Sequence, residues 1–126
     1  MSTTSNAHLI RVESVAGPAW PADLTDLIVS LTREVAPLLA AAPPASILIA
    51  VVCPAGRGDG SGSVDASVEA VRGFAQSLAL EAPSTRCTVA IVGSADEADL
   101  QSTFGLFAGD RGGFIAGATF DLRSNA

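Results

Sequence analysis

The sequence predicts an α/β domain of three layers, with helices on both faces of a short, mainly parallel sheet of about four strands. Two observations carry the sheet. Ser46 to Val52 (SILIAVV) and Thr88 to Val92 (TVAIV) are unbroken apolar runs, the pattern of strands buried on both faces of a parallel sheet. The third observation is the alternation of such runs with segments whose apolar residues recur at helical spacing. An order of strand, helix, strand, helix, strand, helix, strand calls for crossover connections, expected to be right-handed throughout.

Each element has its own signal. His8 to Val15 alternates Leu9, Ile10 and Val12 with His8, Arg11 and Glu13, which predicts a first strand closed by Gly17-Pro18. Asp23 can cap a helix whose inward positions are Leu24, Leu27, Ile28, Leu31, Val35 and Leu38, ending before Pro43-Pro44. After the run Ser46 to Val52 comes a glycine-rich loop, and then a second helix over Val64 to Glu81. Its core set is Val64, Val68, Val71, Phe74, Ala75 and Leu78, and Pro83 stops it. Asp96 to Ala108 predicts a third helix with Leu100, Thr103, Phe104 and Phe107 on one side. Phe114 to Leu122 predicts a closing strand.

Composition narrows the function classes. The chain of 126 residues suits one domain, predicted over residues 8–126 behind a Ser/Thr-rich tail at 1–7. All 7 basic residues are Arg, and 13 acidic residues give a net charge of -6, so phosphate backbones are repelled and no nucleic-acid partner is expected. The longest apolar run, Ala45 to Ala55, is too short to span a bilayer, so no membrane partner is expected. Cys53 and Cys87 fall at the end of one strand and the start of the next. In parallel neighbours that separates them by more than a strand length, roughly 17 Å, which predicts free thiols and a cytoplasmic protein.

Several segments together resemble a known family. Ser67 to Gly93 (SVEAVRGFAQSLALEAPSTRCTVAIVG) is similar to the long helix and following strand of short-chain dehydrogenase/reductases, and Gly105 to Leu122 (GLFAGDRGGFIAGATFDL) to their closing segment. LTREVAP, from Leu31 to Pro37, and ILIAVVCPAG, from Ile47 to Gly56, are fainter echoes in the same order. The resemblance implies a truncated, Rossmann-like, short-chain dehydrogenase-like domain corresponding to the C-terminal half of the family fold. It implies no working site. The family chemistry uses a Tyr as acid or base, a Lys that lowers its pKa, a Ser and an Asn. This chain has no Tyr and no Lys. Alignment on Ser77 to Glu81 (SLALE) puts Val64 at the tyrosine position and Val68 at the lysine position. Cys53, or Val52 under a one-residue shift, takes the serine position, and Leu24 lies near the asparagine position.

The resemblance also implies that the glycine-rich dinucleotide turn lies about a hundred residues upstream of the serine strand, whereas 52 residues precede Cys53. Neither cofactor nor catalytic residues are therefore expected. The expected role is a non-catalytic module that forms a homo-oligomer, or a hetero-oligomer with a complete short-chain dehydrogenase. The interface is expected on Ser67, Ala70, Phe74 and Ser77 of the second helix and on Leu9 and Arg11 of the unpaired first strand.

The alternative is a small-ligand binder for an acyl or nucleotide fragment. Its pocket would use Cys53 at the strand end, where ligands of open α/β sheets bind, with Gly56 and Gly58 of the following loop. That loop matches neither phosphate-binding glycine pattern. An activated thiol needs a base or positive charge beside it, and the one histidine, His8, is far off in sequence. Asp96, Glu97 and Asp99 read as dipole-matching carboxylates at a helix start. Trp20 is either a core plug or an exposed anchor.

Overall fold

In the computed structural model, the structure describes residues 6–13, 21–40, 44–53, 62–93, 96–108 and 114–122. Seven elements follow in order: β1 (Ala7–Glu13), α1 (Pro21–Leu39), β2 (Ser46–Val52), α2 (Gly62–Glu81), β3 (Arg86–Val92), α3 (Glu97–Ala108) and β4 (Thr119–Asp121). The four strands form one all-parallel sheet in the order β1-β2-β3-β4. This is a small Rossmann-like α/β domain. No helix among the described residues is long and apolar enough to cross a membrane.

β2 occupies the range its apolar run predicts, and its position explains that run. It pairs along its whole length with β1 on one side and β3 on the other. Ile47, Leu48, Ile49, Ala50 and Val51 are fully buried, because successive side chains feed opposite faces. Ile47, Ile49, Val51 and Cys53 join Ile10, Cys87, Val89 and Ile91 under α1 and α2, which contribute Leu31, Val35, Val71 and Ala75. Leu48, Ala50 and Val52 join Ala90 and Val92 under α3, which contributes Leu100 and Phe107. Phe107 is centred between Phe114 and Phe120, at ring-centroid distances of 6.1 and 5.7 Å.

The two-sided core changes one expectation. The chain steps across the sheet in a single direction, with α1 and α2 over one face and α3 over the other. The first two crossovers therefore share a hand and the third has the opposite one. With the first two following the right-handed rule, β3-α3-β4 is the left-handed exception. The reason is coverage. α1 and α2 already fill the face of Ile49 and Val89, while Leu48, Ala50 and Ala90 need a layer that only α3 supplies.

The helices follow their spacing closely. Leu31 and Val35 of α1 are buried, with Leu27, Ile28 and Leu38 half-buried against the same core and Leu24 half-buried nearby. Pro21 opens α1, where its missing N–H costs nothing, and Pro37 falls in the last turn. On α2 the innermost stripe is Ser67, Val71 and Ala75 at intervals of four, so two small side chains let the helix lie close on the sheet.

The closing strand is shorter than predicted: Phe114 to Ala118 is not strand, and only Thr119–Asp121 pairs with β3. A side chain displaces the ladder there. The Thr88 hydroxyl donates to the Ile115 carbonyl at 2.9 Å and accepts from the Ile115 N–H at 2.8 Å. Gly117 then turns the chain at a φ of 77°. A Cβ on Gly117 would lie 3.3 Å from the Ala79 Cβ, so the turn is pressed against α2. Gly117→Ala is expected to destabilise the fold by about 1–2 kcal/mol through its left-handed backbone alone, and by more if Ala79 cannot yield. Urea midpoints of the two proteins measure this.

Candidate functional site

The C-terminal ends of the strands, beyond Glu13, Val52, Val92 and Asp121, are where an open parallel sheet places its ligands. Cys53 is the first residue past β2 and continues its ladder, its N–H donating to the Val92 carbonyl at 2.8 Å. It is 2% exposed and belongs to the core beneath α1 and α2. The residue that the sequence offers as a nucleophile or ligand contact is therefore a core side chain. Gly56 and Gly58, the other members of the expected pocket, lie outside the described residues, as does Trp20.

His8 is at the other end of the sheet. It aligns with Ile47, six residues from Cys53 along the strand direction, which is about 20 Å, and its Nε2 bonds the Asn6 Oδ1 at 2.7 Å. Cys87 also aligns with Ile47, so His8 and Cys87 share a level and a face. Ile47 stands between them, and two strand spacings separate their backbones by about 10 Å. Burial pushes the Cys87 thiol up to about 12, and no cation offsets it. Both cysteines are buried, and neither is in a disulfide. The Cys87 thiol therefore lacks the electropositive, accessible setting that makes a thiolate at neutral pH.

The positions that the family resemblance singles out are apolar here. Val64 lies in the first turn of α2, with its side chain outside the description, and Val68 packs half-buried against the core one turn later. Leu24 is half-buried on α1, and Val52 is buried beneath α3. The acidic cluster is a helix start. Asp96 accepts from the Asp99 N–H at 3.3 Å, and Glu97 accepts from the Gln101 amide at 3.0 Å. Among the described residues no group of His, Cys, Asp or Glu could hold a metal ion.

The six residues expected at an interface separate into two sets. On α2, Ser67 is wholly buried against the sheet, Ala70 is half-buried, Ser77 is exposed, and Phe74 packs on the same core as Leu27, Ile28 and Leu38 of α1. Ser67 therefore leaves the expected surface stripe, because the buried face of α2 is centred on Ser67, Val71 and Ala75 rather than on Val68 and Val71. With Gly117 against Ala79 on the opposite flank, both sides of α2 are engaged within the chain. Leu9 and Arg11 sit on β1, the terminal strand of the sheet. Leu9 is half-buried toward the α3 face, and Arg11 bridges Glu13 at 2.7 Å in the open. Sequence reasoning missed Thr88 and Gly117, although the Gly117-Ala118 step ahead of Thr119 carried a turn signal.

No family model matches the chain, and no curated protein matches it in sequence.

The raised Cys87 pKa makes a testable statement. A thiol whose pKa burial raises above its ordinary 9.0 stabilises the fold fully below about pH 9 and loses that contribution as pH rises toward about 12. Stability followed by urea titration should therefore fall progressively above pH 9. Modification of Cys87 by an aromatic disulfide at pH 8 should proceed only as fast as the chain opens. Rapid labelling of the folded protein would contradict the burial.

Proposed function

We propose that this chain is a catalytically inactive, short-chain dehydrogenase-like protein acting as an oligomerisation or partner-binding subunit. The observation that carries the proposal is Val68. Alignment on Ser77 to Glu81 assigns it the place of the lysine that tunes the family acid, and here it is a half-buried aliphatic side chain against the main core. No ionisable group can work from that position. Cys53 and Val52, the alternatives for the serine, are both turned into the core.

Two further features support the same role. Consecutive parallel neighbours, as in β1-β2-β3-β4, are also the order of the second half of a doubly wound sheet, beyond its switch point. The strand at the start of that half, β1, has one neighbouring strand among the described residues, and it presents Leu9 and Arg11 beside its outer edge. The partner is a second copy or a complete short-chain dehydrogenase whose own sheet or helices meet these surfaces.

The test combines a titration with a mass. NAD(H) and NADP(H) should bind these 126 residues more weakly than about 100 μM, equivalent to about 5.5 kcal/mol, in isothermal titration. Light scattering at micromolar concentration should give a mass above the 12.6 kDa of one chain, alone or after addition of the partner. Tighter cofactor binding would overturn the non-catalytic role.

A further inference from the structure

We infer that β1 pairs antiparallel with β1 of a second copy, joining two four-stranded sheets into one of eight. The inference rests on the assembly role proposed above and names its partner and register. Its basis is the direction of the backbone groups. The Ser46 N–H donates to the Asn6 carbonyl, and Ala7 aligns with Ser46, so the even-numbered residues of β1 bond to β2. Ala7, Leu9, Arg11 and Glu13 therefore point their N–H and C=O groups away from the sheet.

Among the described residues the outer edge of β1 has no partner strand; a parallel edge of seven residues is a template for another strand, and charged side chains are the usual means of blunting it. Here the two charges neutralise each other. Arg11 and Glu13 are bridged at 2.7 Å on the α3 face, so the edge adds no net charge from this pair to a chain of charge -6. A heterologous acidic or basic strand finds no unmatched charge to select it, whereas an identical strand meets no repulsion in the right register.

That register is fixed by alternation and charge. Outward groups must meet outward groups, so the two-fold axis passes through a residue rather than between two. Centred on Arg11, it opposes two guanidinium groups. Centred on Val12 or Leu9, it leaves part of the strand unpaired. Centred on Ile10, it pairs all of Ala7–Glu13, with Leu9 facing Arg11 and Ala7 facing Glu13 of the second copy, in about eight hydrogen bonds. Ile10 then meets its own copy on the face covered by α1, extending the cluster of Ile10, Leu31 and Val35 across the junction. A crossover helix lies over the gap between the strands it joins, so the two α1 helices come about 10 Å apart, the separation at which helices pack.

Two variants test this. Leu9→Pro removes an outward N–H and no bond to β2, so it blocks the edge while sparing the chain's own ladder. In light scattering the wild-type mass should be twice the 12.6 kDa chain mass and should halve in this variant, with the circular dichroism of the fold retained. Should the proline unfold β1, Ile10→Cys gives an independent answer. A residue on the two-fold axis at a non-hydrogen-bonded position has its Cα about 4.5 Å from its copy, within disulfide reach. Ile10→Cys should form a covalent dimer under mild oxidation, whereas His8→Cys and the wild type should not. A wild-type mass of one chain, a Leu9→Pro variant that folds and keeps the dimer mass, or cross-linking through His8→Cys in place of Ile10→Cys overturns the pairing. The second and third of these outcomes leave the non-catalytic role standing, and cofactor binding removes that role without touching the pairing.

Discussion

Everything in this fold depends on β2 being buried on all four sides. Its two edges are filled by β1 and β3, and its two faces carry Ile47, Ile49 and Val51 on one side and Leu48, Ala50 and Val52 on the other. Removing each larger side chain from water stabilises the chain by about 1.5–3 kcal/mol, so neither face can be left open. That requirement divides the helices. α1 and α2 cover one face and α3 the other, at the cost of one crossover of the rarer hand.

The same burial governs the chemistry. Side chains alternate along β2 and its extension, so Cys53 falls in register with Ile49 and Val51 and is drawn into the core at the strand end where a ligand would be met. Cys87 opens β3 on the same face and is desolvated in turn. Among the described residues, what the edge of β1 leaves accessible is backbone. The outward groups of Ala7, Leu9, Arg11 and Glu13 form a row of hydrogen-bonding positions on the edge of β1.

Much of this was legible in the residues. SILIAVV could be bounded at Ser46 and Val52 because a two-sided strand is apolar through its interior, here Ile47 to Val52. The inward face of α1 and the Asp96 start of α3 followed from spacing and capping chemistry. Tertiary detail was not legible. Ser67 reads as surface by polarity, yet its small volume is what a close helix-sheet contact uses. Phe114 and Ile115 have strand propensity, but the reciprocal bond from Thr88, 27 residues earlier, holds them out of the ladder. The side chosen by α3 depends on which face α1 and α2 leave bare, a property of the assembled sheet. Of the candidate site, the apolar residues Val64 and Val68 were visible in the sequence. The rotation of α2 that withdraws Ser67 from the surface was not.

Amide hydrogen exchange along β1, resolved residue by residue, tests the central claim most directly. The N–H groups of His8, Ile10 and Val12 are held by β2 in every case and serve as an internal reference. If the edge is covered by another strand, the N–H groups of Leu9, Arg11 and Glu13 are protected to a similar degree at high protein concentration and lose that protection on dilution. Fast exchange at all three odd-numbered positions at every concentration, beside a protected even-numbered set, would show that β1 is a bare edge and contradict the proposed pairing.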